Sequence, residues 1–284
     1  MPQVAIVTDS TSDLDAAAAA RSGIIVVPLF VNFGDTRYVD GVDMNRDEFY
    51  HRLKTDPRLP TTTQPTAKMF EDAFAPLVAQ GRPIVGTFIS QQMSGTINAA
   101  RAAAEQFKGH PIELFDSLTC TAGLALQAAH AAELARAGAS VDDILAALAL
   151  DRDNQHGYAA IPDLSQAVRT GRIGKAKAAI GGLLKIVPVI RMSTGMVEEE
   201  ARVRTFPRAQ EGMILSTLRT IGDVAKARIQ VIHSRDPELA KSVVARLRAQ
   251  LPGEPLTLTV SEAGPVIAVH TGQGAVGIFS ISGY

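Results

Sequence analysis

One stretch, residues 84–104, constrains the fold of this chain more than any other. Ile84-Val85-Gly86-Thr87-Phe88-Ile89-Ser90 reads as a buried strand, Gln91-Gln92-Met93-Ser94-Gly95-Thr96 as a short polar turn, and the alanine-rich residues 97–104 as a helix. Ser94 is expected to be the N-cap, which leaves the amides of Gly95 and Thr96 as donors at the positive end of that helix. A strand feeding a helix N-terminus through Ser-Gly-Thr is a ready anion site. Gly95 adds to this, because without a Cβ a ligand oxygen can approach the backbone closely. The same residues also suit an ordinary capped helix that binds nothing.

Strand and helix signals alternate on either side of this stretch. Residues 4–7 are a short apolar run ending in Thr8-Asp9-Ser10-Thr11-Ser12-Asp13, five consecutive alanines follow at 16–20, Gly23 stops that helix, and residues 24–31 form the next strand. A βαβ unit this compact implies a parallel sheet. Asp9 and Ser10 fall at a strand's carboxyl end, where ligands gather in open α/β sheets, although they serve equally well as loop-shaping residues. Asn45 is expected to cap a helix to about residue 54. Thr61-Thr62-Thr63-Gln64-Pro65-Thr66 is an extended run of hydroxyls before a helix over 67–79. A strand at 112–115 and helices at 121–136 and 140–150 complete a doubly wound α/β pattern.

Near residue 155 the texture changes. A strand at 157–161, a short helix to 169, the basic turn Thr170-Gly171-Arg172-Ile173-Gly174-Lys175 and a hairpin over 184–205 come in sequence. Pro207 opens a helix to about 221. Strands at 229–232, 256–260, 266–269 and 276–281, with a helix over 237–250, make a mixed second layer. Two domains are therefore expected, an N-terminal α/β domain over 1–155 and a C-terminal domain over 156–284.

Several functional classes are excluded by what the sequence lacks. Net charge is −1, so no global field recruits nucleic acid, and no basic recognition helix is present. Cys120 is the single cysteine, which rules out an intrachain disulfide and fits a reducing compartment. Residues 1–3 lack a cationic signal-peptide start. No apolar segment reaches the ~18 residues of a transmembrane helix, and Lys185 interrupts the longest candidate. A cytoplasmic protein without membrane insertion is expected. Gly272-Gln273-Gly274-Ala275-Val276-Gly277 matches G-x-G-x-x-G, but only seven residues follow it, too few for a helix and the distant acid of a dinucleotide site. No P-loop, H-E-x-x-H, paired cysteine or G-x-S-x-G occurs, and the six histidines are scattered without metal spacing. No cofactor or metal is expected.

The remaining polar candidates are few. The Ser-Gly-Thr turn has no lysine of the kind a triphosphate needs, so a singly charged anion such as a carboxylate fits it better. Arg172, in a glycine-flanked turn, can reach an acidic group or remain solvated. His270 ends an apolar strand before a flexible Thr-Gly-Gln-Gly turn and reads either as a ligand-side group or as a structural histidine.

Taken together, several ordered motifs resemble the DegV family of fatty-acid-binding proteins. They are Val7-Thr8-Asp9-Ser10 with Ser12-Asp13-Leu14, Thr62-Thr63-Gln64-Pro65-Thr66, Ser94-Gly95-Thr96 with Asn98-Ala99-Ala100, Gly171-Arg172-Ile173-Gly174-Lys175, and Gly264-Pro265-Val266-Ile267-Ala268-Val269-His270-Thr271-Gly272. The family usually carries Thr-Ser-Gln-Pro-Ser at the second of these, and proline where Gln273 stands. The resemblance implies an α/β fold of two domains, with an N-terminal parallel sheet, a C-terminal mixed sheet and one long-chain fatty acid in a tunnel between them. It implies that Thr62 and Ser94 hold the carboxylate with help from the amides of Gly95 and Thr96, and that Arg172 and His270 lie near it. It also implies a separate ATP-binding kinase subunit that phosphorylates the bound acid to an acyl phosphate. The alternative is a stand-alone hydrolase or phosphotransferase with Ser94 as nucleophile and His270 as base.

Overall fold

A computed structural model describes residues 2–172 and 186–282. In chain order the elements are β1 (Ala5–Asp9), α1 (Ala16–Ser22), β2 (Ile24–Val27), β3 (Phe30–Phe33), β4 (Thr36–Val39), α2 (Arg46–Thr55), β5 (Thr61–Thr63), α3 (Ala67–Ala79), β6 (Ile84–Phe88), α4 (Thr96–Ala104), β7 (Ile112–Asp116), α5 (Thr121–Arg136) and α6 (Val141–Asp153). They continue with β8 (Gln155–Ala160), α7 (Ser165–Thr170), β9 (Val187–Ser193), β10 (Met196–Val203), α8 (Phe206–Thr220), β11 (Arg228–His233), α9 (Pro237–Arg248), β12 (Thr257–Glu262), α10 (Pro265–Thr271) and β13 (Val276–Ile281).

The first sheet has the order β2-β1-β6-β7 and is parallel throughout. Its strands alternate their side chains between two covered faces. Ala5, Val7, Ile84 and Phe88 meet Phe70 and Phe74 of α3 and Ile97, Ala100 and Ala103 of α4. Val4, Ile6 and Val85 meet the alanine face of α5 and Ile144 and Leu148 of α6. The helices between begin where polar side chains satisfy their first amides: Asp15 accepts from Ala18, Asn45 from Glu48 and Thr66 from Met69, and Ser140 with Asp143 forms a capping box.

A second, three-stranded antiparallel sheet has the order β4-β3-β5. Residues 24–31, expected as one strand, supply both β2 and β3, and these pair in different sheets. Pro28 lies at the break, where it has no amide to give to a ladder. The third sheet is mixed and six-stranded, in the order β10-β9-β8-β13-β11-β12, with β11 and β12 parallel and the other pairs antiparallel. One face carries Tyr158, Val189, Val231 and Ile278 against α8 and α9. The other face turns Ile232 and Phe279 toward Ala122 and Leu126 of α5.

Residues 265–271, expected as a strand ending at His270, instead form helix α10. Its valines and isoleucine favour a strand locally, but a short apolar run cannot be told from a buried helix by period. Pro265 at the first helical positions and the turn at Gly272 set the helix ends. Burial completes the choice: Val266, Ala268 and Val269 pack on Val31 and Phe33 of β3 and Phe49 and Tyr50 of α2. Of the expected 184–205 hairpin, residues 184 and 185 lie outside the described residues, as do Ile173, Gly174 and Lys175. No helix among the described residues is long and apolar enough to cross a membrane.

Candidate ligand-binding cavity

The carboxyl ends of β1 and β6, strand β5, helix α10 and the inner face of the six-stranded sheet line a cavity of about 610 Å³. That volume falls within the ~300–1,000 Å³ typical of small-molecule sites. Thr62, Ser94, Gly95, Arg172 and His270 all line it. Thr96 does not. It is fully buried, and its hydroxyl lies 2.8 Å from Ser94 Oγ, so it supports Ser94 from behind.

Strand geometry aims Thr62. Thr61 and Thr63 share Asn32 Nδ2 as donor, at 3.3 and 2.9 Å, on one side of β5. Alternation turns Thr62 the opposite way, and its Oγ1 lies 3.2 Å from His270 Nε2. His270 stands in the last turn of α10, and its Nδ1 lies 2.8 Å from Thr170 Oγ1. The Thr170 hydroxyl also lies 2.9 Å from the Gln166 carbonyl. A hydroxyl has one proton; if Thr170 donates it to that carbonyl, it accepts from Nδ1–H of the neutral ring. Nε2 then keeps its lone pair and accepts from Thr62. Burial, with the charges of Arg172 and Arg169 beside it, lowers the His270 pKa to about 4, so the ring is neutral at pH 7.

The Ser-Gly-Thr turn differs from expectation in one detail. The N-cap position of α4 is Gly95, with no side-chain cap, and not Ser94. Ser94 lies one residue earlier because Met93 and Ser94 both donate their amides to the Ser90 carbonyl, at 3.0 and 3.1 Å, closing a turn before the helix starts. Ser94 Oγ still accepts from Thr96 N, at 3.3 Å. Gly95 has an ordinary negative φ, so space and not backbone freedom calls for glycine: a Cβ there would collide with the Gln64 side-chain amide. Gln64 lines the cavity beside Thr62 and Thr63, and reading the Thr-Gln-Pro segment as a run of hydroxyls overlooks it.

Asp9 and Ser10 are committed to shaping loops. Asp9 accepts from Thr11 N, Thr11 Oγ1 and Ile89 N, at 2.9, 2.5 and 2.8 Å, which ties the end of β1 to the end of β6. Burial raises its pKa to about 6 against those hydrogen bonds. Ser10 Oγ accepts from Leu29 N at 3.0 Å. Cys120 lines the cavity, but burial pushes its thiol well above the ordinary range, which leaves it inert.

Arg172 is the one permanently charged group among the described lining residues, and none of them is acidic. The rest of the lining is largely aliphatic and aromatic, with Leu29, Ile89, Ile161, Ile190, Ile232 and Phe279 among it, and includes the polar Gln91, Gln92, His233 and Ser234. Among the described residues, no group of three or more His, Cys, Asp or Glu is placed to hold a metal ion.

In this α/β protein the cavity brings together one guanidinium, several hydroxyls and a mostly apolar lining. The chain belongs to the DegV family: the family's model, described as that of an uncharacterised protein, matches residues 3–283. A DegV domain-containing protein of Deinococcus radiodurans is 35% identical over 276 residues, covering 97% of each chain. Among solved structures, a fatty-acid-binding DegV family protein from Thermus thermophilus superposes with a TM-score of 0.89 at 30% identity, covering 99% of both chains. A stearic acid-binding protein from Eubacterium ventriosum superposes with a TM-score of 0.91 at 28% identity, covering 99% of this chain and 98% of the other.

Proposed function

We propose that this protein binds one long-chain fatty acid in the cavity and presents its carboxylate to a separate ATP-binding kinase subunit, which converts it to an acyl phosphate. The observation that carries the first part is the make-up of this cavity: a hydroxyl, imidazole and guanidinium cluster continues into a mostly apolar lining. The fatty-acid ligands named for the Thermus and Eubacterium proteins support the same reading. In this reading the units divided near residue 155 clasp the ligand between them. Ser94, the backbone at Gly95 and Thr62 hold the carboxylate, the Thr62 hydroxyl turning its one proton from His270 Nε2 to the ligand on binding, with Arg172 and His270 alongside. Thr96 contributes through Ser94.

The energetics are coherent. A buried methylene contributes about 0.8 kcal/mol, so a long acyl chain contributes on the order of 10 kcal/mol before the entropic costs of association. The hydroxyls then fix orientation more than affinity. Phosphoryl transfer needs a nucleotide site, and the sequence carries no P-loop motif; a partner would bring it, with the exposed Arg172 facing the transferred charge. A Ser94–His270 hydrolase is the weaker reading. Both imidazole nitrogens are engaged, one by Thr62 and one by Thr170, so neither is free to take a proton from Ser94.

Native mass spectrometry of the purified protein, compared with its denatured mass, tests the binding step. The expected result is a non-covalent excess equal to one long-chain fatty acid. No excess, even after incubation with palmitate and oleate, overturns the reading. For the second step, loaded protein mixed with ATP and a fatty acid kinase ATP-binding subunit should yield acyl phosphate, and loaded protein with ATP alone should not.

A further inference from the structure

The six-stranded sheet measures the cavity in rows. Its inward-facing residues pair across strands, so that Gly277, Ala159 and Ile190 form one row and Phe279, Gly157, Met192 and Val197 the next. Ala275 lies before the first row, packed with Ala167 of α7, the helix whose last residue, Thr170, holds His270. At about 3.3 Å per residue, the Phe279 row lies roughly 13 Å along β13 from Ala275 and the polar end. Beyond it come Ile281 and its partner Gln155, and neither lines the cavity. Among the residues of this sheet that line the cavity, the Phe279 row is the last.

Within that row Gly157 does not line the cavity, although Ala159 on the same strand face does. The ring of Phe279 lies over Gly157. A Cβ at Gly157 would stand 2.5 Å from Phe279 Cε1 and 2.6 Å from Cδ1, well inside any real contact. A Cβ at Gly277 would stand 3.2 Å from Cε2, whereas one at Gly123 of α5 would meet Thr119 Oγ1 first, at 2.4 Å, with Phe279 Cδ1 at 3.1 Å. None of these three glycines has a positive φ, so the backbone does not call for glycine there. Space does: Gly157 and Gly277 make the bed in which one ring lies against the sheet, with Ala122 and Leu126 of α5 packed against it.

We propose that Phe279, laid over Gly157, is the stop that sets how long an acyl chain this cavity accepts. The assignment rests on the fatty-acid reading and adds its specificity determinant. It makes two predictions of opposite sign. Removing the ring deepens the cavity, whereas giving Gly157 a side chain lifts the ring into it. Each methylene forced past a rigid stop costs about tenfold or more in affinity.

The test is direct binding of even-numbered saturated fatty acids to delipidated wild-type protein, Phe279→Leu, Phe279→Ala and Gly157→Ala. The expected result is an optimum moved by at least one even-numbered member toward longer acids in both Phe279 variants, and toward shorter acids in Gly157→Ala. Phe279→Leu keeps an apolar side chain in the bed, so the test survives if Phe279→Ala fails to fold. Fatty-acid uptake with the same optimum in wild type and variants overturns the role of Phe279 and leaves the fatty-acid reading standing. No uptake by wild-type protein overturns both.

Discussion

At the scale of single residues, the hydrogen-bond chain Thr62–His270–Thr170 is the most informative arrangement in the molecule. With Thr170 donating to the Gln166 carbonyl each member takes one direction, and direction makes the chain testable. Thr62→Val keeps the shape of β5 and removes one donor from the polar end of the cavity. Fatty-acid affinity should fall by about 1–3 kcal/mol, the cost of leaving a buried acceptor unpaired, as read by titration calorimetry. Unchanged affinity would remove Thr62 from the head-group site. His270 should titrate near pH 4 and carry its proton on Nδ1 when neutral, both readable by NMR of the imidazole nitrogens. The unfolded ring takes a proton near 6.5 and the folded ring near 4. Between these values the unfolded state holds more protons, so the contribution of this residue is complete above about 6.5 and is lost as pH falls toward 4. Thr170→Val removes the Nδ1 partner and should let the tautomers mix.

At the scale of elements, α10 decides how the site is assembled. It comes late in the chain yet packs on the small sheet of residues 30–63, and its start is held by an acid from the beginning of the chain. Asp13 Oδ1 accepts from Gly264 N at 2.8 Å, and Oδ2 accepts from Thr121 Oγ1 at 2.5 Å. Asp13→Ala strands both donors in the interior. It should destabilise the protein by on the order of 2–6 kcal/mol in urea unfolding, at about 1–3 kcal/mol per unpaired group. Asp13→Asn, which still offers one acceptor, should cost less. A Pro-started apolar run shows in the sequence, but the partner surfaces that make it a helix do not. Reading residues 265–271 as a strand therefore placed His270 at a strand end, whereas its ring reaches Thr62 from the last turn of a helix.

At the scale of the whole molecule, buried carboxyls set the pH response. Burial raises Asp9 and Asp40 to about 6 and Asp13 to about 7, against hydrogen bonds and Arg46 that oppose it. A carboxyl raised in the folded state binds a proton that the unfolded chain has already lost near 3.8. Its contribution is complete below about 4 and is lost as pH rises through 6 to 7. Three such groups outweigh the opposite trend of His270. The urea midpoint should accordingly be higher at pH 5 than at pH 8, and the reverse order would contradict the burial of these acids.

Much of this architecture follows from local chemistry. Caps at Asp15, Asn45, Thr66 and Ser140, the glycine stop at Gly23 and the alternation of apolar runs determine by themselves an α/β chain whose first sheet is parallel, because these signals act over a few residues. The Ser94-Gly95 turn at a strand's carboxyl end was legible for the same reason. Only the tertiary structure decided that Thr62 meets His270 across 208 residues and that His270 meets Thr170 across 100. It also decided that Thr96 stands behind Ser94, that Gln64 enters the cavity, and that two glycines from β8 and β13 clear space for one ring. Such contacts are matters of register and packing between distant segments, and no local propensity encodes them.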